Sequence, residues 1–304
     1  MKRYGVVVLA SLLGVGAVVG AGAAASAFGS RGSARSFARV DHQIEPNTAF
    51  RPAGSPAQLR GVNFVSGCRF SHRNTDDPIV FPGQPGKSHD HTFIGNDTTN
   101  AFSTLSSMLG ATSSCRRLGG TAGYWVPTLI GPTGQAIAPR SATVYYRRHT
   151  LAPVQAFPQG FKMIAGDSKA TAAQSLMVTS WNCGPEAGVP AASTIPTCPD
   201  AARQGLALQV QFPSCWDGVN LDSPDHKSHM AYSQRGRCPA DHPAAMPAIQ
   251  VNLRYPTAGG SGLALSSGGQ FTGHADFFNA WRQGVLQALV NGCLNALRHC
   301  QQGF

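Results

Sequence analysis

Short runs that alternate apolar and polar side chains, each closed by glycine or proline, set the pattern of most of this chain. Residues 61–68, 206–213 and 248–255 alternate cleanly, the period of a strand with one buried face. Residues 123–129 and 141–147 read as a strand pair, with Gly131-Pro132-Thr133-Gly134 as a turn between them. Residues 157–167 read as a turn and a further strand, and residues 103–109 as a short helix. Residues 167–180 fit strand or short helix equally well, and a proline-rich excursion follows over residues 183–199. Near the end the period changes. Phe277, Trp281, Val285, Leu289, Cys293 and Leu297 recur every fourth residue, and Phe278, Leu286, Val290 and Leu294 widen the stripe. That spacing predicts an amphipathic helix, with Asp276 as its N-cap. The expected fold is mainly β: a single antiparallel β-sandwich or jelly-roll-like domain over residues 61–304, disulfide-stapled, with a C-terminal amphipathic helix packed on it. A doubly wound α/β fold is the runner-up.

Composition supports this reading. The chain has 304 residues, of which 12% are charged, with 35 Gly and 21 Pro. That mix favours turns and short strands over long surface helices. Only two acidic residues are glutamates, Glu45 and Glu186, and the rest are aspartates, which suit turns and caps. Lys2 and Arg3 followed by an apolar run over residues 6–19 and Ala25-Ser26-Ala27 read as a cleavable secretory signal, residues 1–27. A membrane anchor is the competing reading, disfavoured by a short, glycine-rich run. Residues 28–60, rich in Ala, Ser, Gly and Arg, read as a flexible arm.

All eight cysteines follow the signal, an even count that favours disulfides in an exported chain. Economy of loop closure predicts sequential pairs: Cys68–Cys115, Cys183–Cys198, Cys215–Cys238 and Cys293–Cys300. The formal charge of +10 is scattered, with neither a basic run nor interleaved aromatics. It argues for loose attraction to anionic envelope polymers and against specific nucleic-acid binding.

Two blocks carry the chemistry. Residues 86–96 hold Lys87, His89, Asp90 and His91, and residues 214–232 hold Asp217, Asp222, Asp225, His226, Lys227 and His229. We expect them to meet in one polar site. On a strand, His89 and His91 share a face and Asp90 takes the other. Such a pair can ligate a metal, can work as an acid/base held by a carboxylate, or can be hydrogen-bonded structure. In the catalytic reading Asp90 or Asp225 is the carboxylate acid/base, with His91, His226 and His229 as proton carriers. Arg73, Asp76, Asp77, Lys87, Asp222 and Lys227 then hold substrate. In the metal reading His89, His91, His226 and His229 hold a divalent transition metal, the one cofactor the sequence suggests. A third reading makes the blocks a buried network that fixes loops. His274, just before the predicted helix, is placed to face the same site. No P-loop, dinucleotide fingerprint, His-Glu-x-x-His or Gly-x-Ser-x-Gly occurs.

Taken in order, several stretches resemble the DUF1996 family of secreted proteins. They are residues 70–78, Lys87-Ser88-His89-Asp90-His91, Tyr124-Trp125-Val126-Pro127, residues 212–218, residues 225–232 and Gly273-His274-Ala275-Asp276-Phe277. The resemblance spans about residues 60–295. It implies secretion and, because some members carry carbohydrate-binding WSC modules, a connection with carbohydrate. No such module is evident here, and the resemblance supplies no catalytic assignment. The expected function is therefore a secreted protein with a His/Asp site that cleaves a cell-wall or environmental polysaccharide, as hydrolase or lyase. The alternative is a non-catalytic metal- or glycan-binding envelope protein. The expected partner is a polysaccharide or other cell-envelope polymer, with no stable membrane anchor after signal cleavage.

Overall fold

Two antiparallel sheets follow from the alternating runs. The computed structural model describes Phe50 and residues 52–301. The expected signal segment lies outside the described residues, as does most of the expected arm. The arm's last residues belong to the fold: Ala53 is buried with its N–H donating to Leu151 O, and Pro56–Leu59 forms a 3-10 turn with proline at its start.

The larger sheet runs in the order β17 (His299–Cys300), β1 (Asn63–Cys68), β7 (Ser141–Arg147), β14 (Ala248–Arg254), β10 (Ala207–Gln211) and β9 (Thr179–Asn182). Only the short β17–β1 pair is parallel. The second sheet runs β2 (His72–Asn74), β3 (His91–Gly95), β4 (Gly123–Pro127), β16 (His274–Phe278) and β8 (Lys162–Gly166), antiparallel throughout. Two small three-stranded sheets complete the set. One joins β11 (Cys215–Trp216), β12 (Met230–Ala231) and β13 (Ala244–Ala245), and the other joins β5 (Leu129–Ile130), β6 (Ala136–Ile137) and β15 (Ala264–Leu265).

The two large sheets share one core. Phe64, Val144, Tyr146, Leu208 and Val251 from the first meet Tyr124, Met163, Ala165 and Phe277 from the second. Tyr124 stacks on Phe277, the Tyr124 and Tyr146 hydroxyls hydrogen-bond across the interface, and the Trp281 indole donates to Tyr146. Each such aromatic contributes roughly 1.5–3 kcal/mol by leaving water. Tyr124, Trp125 and Tyr146 are core residues, while Tyr145 is half-buried.

The three central strands of the second sheet, β3, β4 and β16, are buried on both faces, and this creates the site. Ile94, Tyr124, Ala275 and Phe277 face the sandwich. By the two-residue period, His91 and Phe93, Trp125, and His274, Asp276 and Phe278 face the other way. There Phe93, Trp125 and Phe278 pack with Ile79, Met108 and Ala280 into a second apolar cluster.

That two-sided burial corrects the helix prediction. Phe277 and Phe278 belong to β16, whose five residues are all buried between β4 and β8. A continuous apolar strand mimics a helical stripe when its residues are counted in fours. Asp276 is consequently not an N-cap. The short helix α1 is Leu105–Leu109; the C-terminal helix, α2, spans only Gln283–Leu289 and continues as a π-helix over Val290–Asn295. Its buried face is Leu286, Val290, Cys293 and Leu294. All four disulfides join sequential cysteines as expected. No helix among the described residues is long and apolar enough to cross a membrane.

Candidate metal centre

His91 and His274 stand on β3 and β16, one strand apart across β4, with their rings leaning together over that strand. The ring centroids lie 5.9 Å apart. Proline at position 127, opposite His91, leaves little side chain between them. His89, in the lead-in to β3, completes a cluster: its ring is 4.2 Å from that of His91, and its Nε2 is 3.2 Å from His274 Nε2. Two nitrogens on one tetrahedral ion with bonds of 2.0–2.1 Å sit about 3.3 Å apart, so this pair already has ligand spacing. Asp276, two residues after His274 on the same face, brings a carboxylate 4.0 Å from His274 Nε2. One donor atom from each of His89, His91 and His274 lies within 4.8 Å of the others, and so does one from each of Asp77, His91 and Asp276.

Backbone carbonyls fix the histidine protons. His91 Nδ1 faces Asp76 O at 3.0 Å, and His274 Nδ1 faces Thr272 O at 2.8 Å. A carbonyl only accepts, so each Nδ1 carries the proton and each Nε2 presents a lone pair. This is how metal-binding imidazoles are commonly oriented. Among the described residues, His91 Nε2 is buried with no hydrogen-bond partner, and so are both carboxylate oxygens of Asp276. With Nδ1 engaged, His91 has one nitrogen, Nε2, to give to either triad.

Burial governs the charges. Desolvation pushes His91 well below the usual imidazole range, helped by repulsion from His89 and His274. Desolvation brings His274 down to about 3 and lowers His89. The imidazoles therefore stay neutral, as ligands must be. Desolvation also raises Asp276 far above the usual carboxylate range, with further repulsion from Asp77, and desolvation raises Asp77 itself. Burial thus favours the neutral carboxyls, and a divalent cation held at this place would stabilise their ionised forms.

Above this floor opens a cavity of about 640 Å³. One wall is the lead-in to β3, with Lys87, Ser88 and His89; the opposite wall is residues 224–227. That second segment reaches the cavity by hydrogen-bonding to β8: Lys162 N donates to Leu221 O, and Ile164 N to His226 O. His226 lies at φ 58, a left-handed backbone uncommon outside glycine. Its Nδ1 is 2.8 Å from Asp222 Oδ1, which leaves Nε2 for proton exchange. Lys227 Nζ donates to Gly166 O at 2.7 Å. Asp225 Oδ1 accepts from Ser223 Oγ, Lys227 N, Ser228 N and Ser228 Oγ. Those bonds, led by Ser228 N–H, hold its carboxyl far below the usual range, which suits a turn anchor and not a proton donor.

The structure thus brings Asp77, Lys87, His89, His91, Asp225, His226 and Lys227 to one place, with Asp222 behind His226. Four expected site residues lie elsewhere. Asp90 points to the opposite face, as the strand period requires, and pairs with Arg73 at 2.9 Å. The carboxylate of Asp76 holds backbone, accepting from Gly86 N and Ala101 N, and only its carbonyl touches His91. Both nitrogens of His229 are engaged, by Ser223 Oγ and Lys162 O at 2.8 Å each, and its ring packs on Phe161. His229 therefore ties the loop to β8 and has no nitrogen for a metal. His226 stands on the wall, and His274 and Asp276 take the places expected of His226 and His229 among the ligands. The signal for them was present in the sequence: His274-x-Asp276 repeats the spacing of His89-x-His91.

This is a disulfide-braced β-sandwich whose outer sheet face carries a buried His/Asp group able to hold a metal ion. The family model described as "Domain of unknown function (DUF1996)" matches residues 77–281, and the chain belongs to that family. The match runs from Asp77 past Asp276 and so contains every residue of the candidate centre. No curated protein and no solved structure matches.

Proposed function

We propose that this chain is a secreted metalloprotein that cleaves a polysaccharide or another cell-envelope polymer, as hydrolase or lyase, at the cavity above His91. The observation that carries the metal is the pair of buried, unpartnered groups, His91 Nε2 and the Asp276 carboxylate, converging with His89 and His274. Three imidazoles with carboxylates suit a divalent transition metal. Such an ion polarises an oxygen bound to it and makes metal-bound water acidic near neutral pH. His226, aligned by Asp222, is the group on the cavity wall suited to carry a proton to or from that oxygen. A glycosidase built on two carboxyls is less well supported. Asp225 is spent on its turn, Asp90 is paired on the far face, and the buried Asp276 carboxyl faces His274. Four disulfides suit an oxidising compartment, which supports export.

The test is elemental analysis of the mature protein purified without a histidine tag, followed by turnover on a panel of polysaccharides with and without chelator. About one equivalent of a transition metal, and turnover lost on chelation and restored by the metal, is the expected result. Metal-free protein that turns over undiminished overturns the metal reading. One equivalent of metal with no turnover on any polymer supports the non-catalytic binding alternative.

A further inference from the structure

Three ammonium groups stand around the cavity without a carboxylate to meet them. Lys87, Lys169 and Lys227 all line it, and among the described residues no carboxylate lies within 4.0 Å of any of the three. Lys227 is the most firmly placed. It is half-buried, one of its three donors is fixed on Gly166 O at 2.7 Å, and the other two remain for a ligand. Its charge also reaches His274 and Asp276. Ser88, Ser168 and Ser267 add hydroxyls to the same lining. Of the acids in the wall, Asp225 is taken up by its own turn, and Asp77 and Asp276 face the metal position.

We infer that the cavity binds an oxyanion carried by its ligand, a carboxylate or a phosphate or sulfate ester, held by Lys87, Lys169 and Lys227 beside the metal. This rests on the metal reading for part of the positive charge, since a divalent ion offsets Asp77 and Asp276 and leaves three lysines against the single carboxylate of Asp225. A cavity with an excess of positive charge concentrates anions. Fixed cations beside a metal are also placed to stabilise negative charge that develops on a reacting oxygen. A neutral glycan would leave the three lysines without a role in binding.

Calorimetric titration of the metal-loaded mature protein tests this, with sodium phosphate, sodium sulfate and galacturonate as probes and galactose as the neutral control. Saturable binding of at least one anion and none of galactose is expected. The combined variant Lys87→Met, Lys169→Met, Lys227→Met should weaken that binding at least tenfold with its metal content unchanged, and Lys227→Met alone should show the largest single effect. Binding of galacturonate alone assigns a uronate ligand; binding of phosphate or sulfate alone assigns an ester. No anion binding to the metal-loaded protein, or equal affinity in the combined variant, overturns the inference. A protein that takes no metal but binds anions through the lysines removes the metal reading and leaves this one standing.

Discussion

His91 Nε2 and the Asp276 carboxylate are buried, and among the described residues no hydrogen bond satisfies them. Replacing Asp276 with Asn should abolish stoichiometric metal binding and leave the metal-free melting temperature equal or higher, since a buried carboxyl without a partner destabilises the fold. A fall in metal-free stability would make Asp276 a structural group. His149, far from the candidate centre, predicts a pH effect. Desolvation, with repulsion from Arg147, brings it down to about 4. Between the unfolded value near 6.5 and that folded value the unfolded chain binds a proton that the fold refuses. The His149 share of stability should therefore fall as pH drops from about 6.5 to about 4, by at most about 3 kcal/mol, and that share changes no further below. Denaturant melts of His149→Gln across that range should show a flatter profile than the parent.

Strand β16 shows how an element can hide in the sequence while its chemistry stays visible. His274, Asp276 and the neighbouring apolar residues were legible as chemistry, but the strand was read as the start of a helix. Only pairing with β4 and β8 made five consecutive buried positions a strand. The approach of β8 to β16 depends on Gly166, at φ 83, where an added Cβ would meet Gly273 O at 2.4 Å. Gly166→Ala should destabilise by about 2 kcal/mol or more, from the backbone clash and the left-handed conformation together. It should also weaken metal binding, because His274 lies against the same position. The helix that follows is held by its apolar face, so Leu294→Ala, at a fully buried site, should cost about 2–5 kcal/mol in a denaturant melt.

For the whole molecule, the cross-links restrict the unfolded chain in proportion to the loops they close. Cys68–Cys115 spans a sequence separation of 47, and Cys293–Cys300 one of 7. In the chain-entropy account these contribute about 4 and about 2.5 kcal/mol. Removing the first pair by double alanine substitution should lower the denaturant midpoint more than removing the second. The reverse order would mean that strain or residual structure outweighs loop entropy. The same sequential pairing keeps each cross-link local and leaves long-range order to the sheets. Those sheets join residues as distant as His89 and His274.

Composition and short-range pattern were enough to indicate a mainly β, cystine-linked chain, a sequential pairing of its cysteines and the two blocks rich in His and Asp, and the resemblance of its ordered motifs indicated the family. These depend on neighbours along the chain: strand period, turn residues and loop length. Tertiary structure decided which members of those blocks meet. The order β3-β4-β16 sets His91 beside His274 and Asp276, and hydrogen bonds to β8 bring His226 and Lys227 to the cavity while turning His229 into the wall. A side chain's face follows from its parity on a strand, but the strands that share that face follow from sheet order. Sheet order is set by burial over the whole molecule, which local sequence does not encode.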